Sequence, residues 1–545
     1  MNGLKAGIVG FLSERTLPSV RTLLATRQPL VWLLALIIGG VGAYAILAFR
    51  WLIGAVQWLW LGNSSENVLS TVASFREPWL IMLALVGGGL VVGFILRFTT
   101  HSFRTHGIAD VIEARAIHGS HIPIRRGLMS AVASAISLGA GASAGREGPA
   151  VHLGAAIASF LESRFSLPGA ARRVLLASGA AAAVSASFNA PIAGVLFAHE
   201  VILGHYALTA FVPTVIAAVG ATLITRVHLG DFPAFIIPDY HITSYWEFPA
   251  FALLGVVCGL VAVGFLLSIM ASDWLSRQVD LPIWVRPAIG GVIVGAIAIM
   301  VPEVLGVGYE ATNQALREKY SLEFLFLLLF AKTAATAITL ASRFGGGVFS
   351  PSLYLGAMSG GAFGIIAASV FPEFASSYGV YAILGMGAVA GAVLGAPIST
   401  TMIVFELTGG YEMTIALLLS VSIASVITQA LIGQSFFGWQ LSTRGLYLGD
   451  GPHRRIMRTW KVADFMTGLS PEDSENPVKL GPDDLRLTPE DTLEVTLRAF
   501  DTTGLDRIAV FDPSNMDTQI GWAEYTKALS TFNAALIEAN IEEHR

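Results

Sequence analysis

The chain has 545 residues, of which 54% are hydrophobic and only 13% are Asp, Glu, Lys or Arg, with a formal net charge of −5. Soluble globular domains carry about 25% charged residues. The composition therefore excludes an ordinary soluble protein and predicts an all-α polytopic membrane protein.

Residues 1–29 form a basic segment, with Lys5, Arg15, Arg21 and Arg27 against one acidic residue, Glu14. The positive-inside rule predicts that such a segment is cytoplasmic. It contains no short apolar core followed by a small-residue cleavage site, so we predict no signal peptide.

Seven apolar stretches follow, each near the ~20 residues that a helix needs to cross ~30 Å of hydrocarbon. Shorter apolar segments at 150–161 and 190–203 cannot span alone, and we interpret them as half-helices buried among neighbours. Cys258 is interpreted as a buried small hydrophobic residue. The seven long stretches are 30–49, 78–96, 248–270, 285–301, 322–340, 378–394 and 411–432.

Two short motifs match catalytic patterns without the required context. "GASAG", 141–145, matches the GxSxG of serine hydrolases, but that motif needs a strand before Ser143 and a helix after it. "HEVILGH", 199–205, has Leu203 where a zinc protease needs its second histidine. We predict no catalytic residue and no metal site, and an intramembrane hydrolase that uses Ser143 is the alternative of another class.

The chain contains an internal repeat. "GPAVHLGAA", 148–156, and "SPSLYLGAM", 350–358, share the pattern Pro-x-x-x-Leu-Gly-Ala, and each half has a proline nine residues before a glutamate, at Glu200 and at Glu406. The offsets predict two repeats, at about 30–230 and 245–440. Duplicated apolar segments interrupted by Gly and Pro are typical of transporters.

The interrupted segments favour an anion site. A helix that begins within the membrane leaves N–H groups unpaired, and its dipole attracts an anion. "GREGP", 145–149, and "FGGGVFSP", 344–351, correspond in the two repeats, so we predict that both face one pathway. Glu147 is the candidate functional acid, because a carboxylate inside the bilayer is costly.

These motifs, with "SFNAPIAGVLFAHE" and "GAPISTTMIVFELTG", resemble the CLC family of chloride channels and chloride/proton antiporters over about residues 30–445. The resemblance implies two inverted repeats of tilted and broken helices, a homodimer with one anion pathway per subunit, and Glu147 as the gate. An ionised Glu147 would occupy the pathway, and a protonated one would leave it. The residues implied to bind the anion are His106, Gly145, Arg146, Glu147, Gly148, Gly347, Val348, Phe349 and Phe437.

Three positions depart from the family pattern. His106, in "THGIADVIEA", stands where the family has a serine, whereas "GSHIP" at 119–123 matches the text of that motif at the wrong spacing. Phe437 replaces a tyrosine, and Val201 replaces the inner proton-transferring glutamate, next to Glu200, which matches a structural acid. A protonated histidine would make transport depend on pH near ~6.5. The valine weakens the case for proton coupling.

We therefore predict transport of chloride or a similar small anion across a cell inner membrane, passive or weakly proton-coupled, without a cofactor. A chloride/proton antiporter is the alternative. A fluoride exporter of the same family is a third reading, and ion selectivity distinguishes it.

Residues 446–545 are predicted to form a small cytoplasmic α/β domain. From residue 441 onwards, 18 Asp and Glu accompany 11 Lys and Arg, a mixture that argues against nucleic acid binding. "VADFMT", 462–467, and the segment 492–515 resemble CBS modules, which implies a dimerising or regulatory domain. Glu524 and Lys527 stand where nucleotide-binding modules have Thr and Asp, so we favour a domain without nucleotide.

Overall fold

The structure, a computed structural model, describes residues 27–99, 104–231, 235, 240–408, 410–446, 451–469 and 486–544. The chain divides into two compact units, Met1–Phe437 and Gly438–Arg545. Most of the predicted cytoplasmic segment 1–29 lies outside the described residues. The division between the units falls a few residues before the predicted boundary at 445/446.

The first half of the membrane unit consists of nine helices among the described residues. A proline is the first residue of α3 and α8 and the second residue of α1, where a missing N–H costs nothing because the first turn leaves its N–H groups unpaired. The helices are α1 (Gln28–Leu61), α2 (Leu69–Ser74), α3 (Pro78–Thr99), α4 (Ile108–Ile117), α5 (Ile124–Gly139), α6 (Glu147–Glu162), α7 (Gly169–Phe188), α8 (Pro191–Phe197), which continues as a π-helix over Ala198–Leu203, and α9 (Leu208–Leu229).

The second half repeats the arrangement. Two of its helices, α15 and α17, end at a glycine with positive φ, Gly395 (φ 67°) and Gly433 (φ 78°), a conformation that stops a helix at little cost. The helices are α10 (Phe248–Gln278), α11 (Arg286–Met300), α12 (Tyr309–Leu316), α13 (Leu322–Ala341), α14 (Phe349–Val370), α15 (Tyr378–Leu394), α16 (Pro397–Thr408), α17 (Tyr411–Ile432) and α18 (Phe436–Ser442), whose residues 438–442 already belong to the second unit.

Among the residues that the structure describes, seven helices are long and apolar enough to span a membrane, which confirms a multi-pass helical membrane protein. The set differs from the seven predicted stretches. The stretches at 285–301 and 378–394 form shorter helices, whereas Leu208–Leu229 and Phe349–Val370 are spans that the hydropathy pattern missed. Small and polar residues give α14 the lowest hydropathy of these spans, and α14 faces protein over most of its first half, whereas α9 is as apolar as the predicted span at Leu322–Ala341.

Equivalent glycines pack the two halves in the same way. An added Cβ on Gly154 of α6 would overlap the carbonyl oxygen of Gly179 of α7, and one on Gly356 of α14 would overlap that of Gly385 of α15. Each pair therefore brings two helices into backbone contact. Such close packing suits a membrane interior, where van der Waals contact replaces the hydrophobic effect as the force between helices.

The halves also cap each other's helices. The carboxylate of Glu200, in the π-helix after α8, accepts the N–H groups of Ile398 (3.0 Å) and Ser399 (2.7 Å) at the start of α16. Glu406, in α16, accepts those of Ile192 (2.9 Å) and Ala193 (2.7 Å) at the start of α8. Each acid neutralises the positive end of a helix dipole in the other half.

The second unit contains a three-stranded antiparallel sheet in its described residues, in the order β1 (Thr467–Gly468), β3 (Asn515–Glu524), β2 (Arg507–Asp512). Helices α19 (Gly451–Thr459), α20 (Leu493–Thr503) and α21 (Tyr525–His544) complete it. Its core includes Val462, Leu493 and Val510. The predicted small α/β domain is present, and its assignment as a CBS module stays a prediction, with 470–485 outside the described residues.

Candidate anion pathway

The N-termini of α6 and α14 meet at the centre of the membrane unit. The N–H of Gly145 donates to the carbonyl of Gly347 (2.6 Å), and the N–H of Gly347 donates to that of Gly145 (2.7 Å), an antiparallel bridge between the two halves. An added Cβ on Gly148 would lie 3.4 Å from Gly347 Cα. The bridge therefore brings two helix N-termini, with their partial positive charge, to one place.

A third helix N-terminus approaches the same place. Gly107 is the N-cap of α4, and an added Cβ there would lie 4.0 Å from the backbone of Gly148. Asp110 accepts a hydrogen bond from the Gly107 N–H (2.8 Å) and forms an ion pair with Arg104 (2.6 Å), and these two interactions hold the turn in place. Three helix N-termini thus lie near Gly148, and helix N-termini favour a bound anion.

Glu147, the first residue of α6, lies at this junction with only 1% of its surface exposed. Its Oε1 accepts hydrogen bonds from the Ser350 hydroxyl (2.6 Å) and the Tyr309 hydroxyl (3.2 Å). Its Oε2 is buried without a hydrogen-bond partner among the described residues, and an added Cβ on Gly145 would lie 2.7 Å from it. The carboxylate is thus buried where an anion would be stabilised.

The Arg146 side chain turns away from this junction. Its guanidinium forms an ion pair with Glu66 and lies 4.8 Å from the centre of the Tyr309 ring. A third contact reaches the Ser187 carbonyl at 3.4 Å. Among the predicted anion-binding residues, Arg146 could therefore contribute through its backbone rather than its charge.

Val348 and Phe349 begin α14, opposite α6, and both are buried. The Phe349 ring packs against Phe188 (5.1 Å between centroids) and Phe197 (6.2 Å) from α7 and α8. The second half thus contributes apolar side chains and a helix N-terminus, with no ionisable side chain at these two positions.

His106 precedes α4, and its ring stacks on that of His152 at 5.2 Å with an interplanar angle of 20°. Its backbone N–H donates to the Ser130 hydroxyl (2.7 Å), which donates in turn to its carbonyl (3.2 Å). His152, on α6, is buried, and its Nδ1 has no hydrogen-bond partner in the described part of the chain. We did not predict this pair, although His152 lies inside the repeat motif.

Two further predicted positions are less informative. Phe437 is buried, and its ring packs edge-on against Phe436 (5.8 Å). Val201 lies in the π-helix beside Glu200, whose carboxylate accepts hydrogen bonds from the N–H groups at the start of α16. Glu200 is therefore held by structural hydrogen bonds.

The two catalytic-looking motifs have structural partners. The Ser143 hydroxyl lies 3.2 Å from the Thr336 hydroxyl in the buried interior. The His199 ring contacts the His205 carbonyl (3.0 Å) and the Thr214 hydroxyl (3.3 Å). Neither motif forms a strand–turn–helix or a two-histidine helical face.

Tyr309 and Ser350 were missed by sequence reasoning. Ser350 lies in the quoted "FGGGVFSP" motif, and its place one residue after Phe349 was the available signal. Tyr309 begins α12 and carries no motif, so nothing local to it indicated a contact with Glu147, 162 residues earlier in the chain.

Comparison with known proteins identifies the family of the chain. Residues 88–429 match the family described as voltage gated chloride channels. A ClcB-like chloride channel protein of Ralstonia nicotianae is 34% identical over 70% of this chain and 90% of its own. The ClcB channel of Escherichia coli is 30% identical over 74% of this chain and 97% of its own.

The fold also matches a solved structure. A slow cyanobacterial Cl−/H+ antiporter superimposes with a TM-score of 0.68 at 22% identity, over 76% of this chain and 97% of the antiporter. That likeness shows a shared fold of two repeats. Taken with the sequence matches, it establishes that the chain belongs to the CLC family of voltage-gated chloride channels and transporters.

Proposed function

We propose that this protein moves chloride or a similar small anion along a pathway gated by Glu147, passively or with weak proton coupling. The family transports anions and consists of channels and transporters rather than enzymes. The hydrolase alternative has no support, because the Ser143 hydroxyl lies beside another hydroxyl, Thr336, rather than beside a base.

The observation that carries the proposal is the position of the Glu147 carboxylate. It lies at the Gly145–Gly347 bridge, where two helix N-termini meet, and it accepts hydrogen bonds from Ser350 and Tyr309. A carboxylate and a halide compete for the same positive environment. While the carboxylate is ionised and in place, the anion cannot pass.

Protonation would open the gate. A protonated Glu147 loses its negative charge, so the helix dipoles no longer hold it at the junction. An anion that takes its place would be stabilised by the N–H groups at the start of α6 and α14. Neutral donors suit a transported ion, because it must leave again. The Arg146 charge, paired with Glu66, stays out of direct contact.

The weak coupling follows from Val201. A proton that crosses from the cytoplasm needs a titratable carrier near the inner end of the pathway, and the π-helix offers valine there, with Glu200 already bound to α16. One observation favours the antiporter alternative: the similar cyanobacterial structure is of a Cl−/H+ antiporter.

The proposal includes a homodimer in a bacterial-type inner membrane, with both termini cytoplasmic. Support comes from the basic N-terminal segment and from exposed apolar side chains on α9, α16 and α17, such as Leu208, Ile398 and Val426. A second copy would remove part of this apolar surface from lipid. Single-molecule subunit counting in liposomes tests the stoichiometry.

Reversal potentials of the reconstituted protein test the function. We expect chloride current whose reversal potential follows the chloride gradient and shifts little when a pH gradient is added. A full shift with the pH gradient would establish the antiporter alternative. Flux of fluoride without chloride would point to a fluoride exporter, and the absence of any halide flux would overturn the proposal.

A further inference from the structure

Two cavities adjoin each other at the ends of α1, α6 and α7. One, of ≈ 640 Å³, is lined by the loop between α6 and α7, and the other, of ≈ 360 Å³, lies among the starts of α1, α7 and α9. Arg27, Leu167 and Pro168 line both cavities, so the two are continuous. Each volume is in the range of small-ligand sites, about 300–1,000 Å³.

The smaller cavity has mostly apolar walls. They include Val31 and Trp32 of α1, Val174 of α7 and Val212 of α9. Both α1 and α9 are long and apolar enough to span a membrane, and both begin at this cavity. The end of a membrane span lies where headgroups meet acyl chains, a depth at which tryptophan is enriched. The cavity therefore lies where a lipid acyl chain can enter it.

The larger cavity contains two side chains of opposite charge that lack partners. Glu162, the last residue of α6, is 2% exposed, and its Oε2 is buried without a hydrogen-bond partner among the described residues. Arg172, in the first turn of α7, is half-buried, and its Nε has no acceptor in the part of the chain that the structure describes. Buried polar atoms nearly always have partners. These two call for a ligand that has both a donor and an acceptor.

The boundary between the two cavities is basic. Arg27 precedes α1 and donates a hydrogen bond to the Ser166 carbonyl, in the loop between α6 and α7. The imidazole of His121 also lines the larger cavity. Because α1 and α7 both begin here, the positive ends of their dipoles add to the guanidinium groups. This surroundings favours a phosphate group.

We propose that the two cavities bind one phospholipid whose headgroup carries a primary ammonium and a phosphate. Glu162 accepts hydrogen bonds from the ammonium group, Arg27 and Arg172 donate to the phosphate, and an acyl chain lies in the apolar cavity. The lipid comes from the leaflet at which α1 begins.

The unpaired atoms select this headgroup over others. A headgroup with a phosphate but no ammonium would leave the Glu162 Oε2 unsatisfied beside a second negative charge. A quaternary ammonium keeps the positive charge but has no N–H to donate. The site also lies outside the anion pathway, because Glu162 and Glu147 are at opposite ends of α6, about 22 Å apart along its axis.

Headgroup selectivity of the wild-type protein tests the proposal without any variant. The full chain is delipidated in detergent, and its affinities for phosphatidylethanolamine, phosphatidylcholine and phosphatidylglycerol with identical acyl chains are measured by native mass spectrometry. We expect phosphatidylethanolamine to bind about tenfold more tightly than either of the others, because hydrogen bonds between charged groups are strong. Equal affinities for the three lipids would overturn the proposal.

Substitutions separate the two ends of the headgroup. Glu162→Gln should reduce the preference for phosphatidylethanolamine over phosphatidylcholine to about twofold or less, because the carboxylate that attracts the N–H groups is gone. Arg172→Gln should weaken the binding of both lipids by about threefold or more, because both contain the phosphate. A preference that survives Glu162→Gln in full would contradict the assigned role of the acid.

Arg173→Gln is the matched control for Arg172→Gln. Arg173 is the next residue of α7, has the same charge and is also half-buried, but it lines neither cavity. Its lipid affinities should equal those of wild type. A loss as large as that of Arg172→Gln would mean that the lipids respond to surface charge alone, and would refute the site.

A soluble headgroup distinguishes a lipid from a free phosphate compound. Phosphoethanolamine has the ammonium and the phosphate but no acyl chain to fill the apolar cavity. At millimolar concentration it should therefore leave bound phosphatidylethanolamine in place. Complete displacement would overturn the lipid assignment, because the polar cavity would then bind its ligand without the apolar one.

Discussion

The starts of α6 and α14 occupy equivalent places in the two repeats but carry different chemistry. Gly145 corresponds to Gly347, and the two form the central bridge. After it, the first half continues with the charged pair Arg146 and Glu147, whereas the second half continues with Val348 and Phe349. The duplicated backbone provides two positive helix ends, and the single carboxylate makes one of them a gate. The helix ends that the two repeats share form the anion site, and the acid that only the first repeat has controls it.

The largest effect on flux is expected from replacing Glu147, the acid that only the first half has. Glu147→Gln gives the start of α6 a neutral side chain, which resembles the protonated gate. In wild type, flux should rise as pH falls, because protonation releases the carboxylate from the junction. The variant should carry chloride at a rate that no longer depends on pH, measured as efflux from liposomes at acidic and neutral pH. Loss of flux together with loss of anion binding would show that the gate is misassigned.

Substitutions at equivalent glycines test whether the helices of the two halves pack equally closely. Gly154→Ala and Gly356→Ala each place a methyl group against the backbone of the neighbouring helix, and overpacking costs about 1–3 kcal/mol. Both variants should melt at lower temperature in detergent, by similar amounts. Gly264→Ala is the control, because an added Cβ on α10 there meets no atom within 4 Å. A melting temperature unchanged in one half alone would contradict the equivalence.

Substitutions of Ser350 and Tyr309, both in the second half, measure how strongly their hydroxyls hold the Glu147 carboxylate in place. Ser350→Ala removes the 2.6 Å hydrogen bond to Glu147, and Tyr309→Phe removes the 3.2 Å one. A net hydrogen bond contributes about 0.5–1.5 kcal/mol, so flux at neutral pH should rise about two- to tenfold, more for Ser350→Ala. In the Glu147→Gln background neither change should alter flux. An equal rise in that background would mean that the hydroxyls act on the ion instead.

The smallest effect is expected from α4, which contributes the third helix end. His106→Ser restores the hydroxyl of the family pattern and removes the ring that stacks on His152. We expect a shifted pH optimum or a changed chloride/nitrate preference, with the maximal rate largely kept, from bi-ionic potentials over a pH series. Identical selectivity and pH profile would indicate that only the backbone of this turn faces the ion.

The helix ends were predictable because backbone chemistry leaves a signal in the sequence. The repeat placed GREGP opposite FGGGVFSP, and the structure joins Gly145 to Gly347 directly. Proline and glycine mark where a helix starts within the membrane, whatever the surrounding fold. The position of Glu147 at a helix N-terminus follows from the same local rules.

Side-chain partners between distant segments were not predictable. Tyr309 reaches Glu147 because of how α12 packs against α14, and no local pattern encodes that contact. The span at 349–370 was missed for a related reason, since this helix is more buried in protein than the other spans, and its Gly and Ser residues lower its hydropathy.

The reciprocal caps of Glu200 and Glu406 bear on the origin of the molecule. Each acid satisfies backbone donors of the other half, and the exchange is the same in both directions. Two identical half-length chains related by a twofold axis would form both contacts without any change, because in such an interface residue i of one copy contacts residue j of the other, and j contacts i in return. A gene duplication that fused the two copies would therefore have kept an interface that the separate copies already formed.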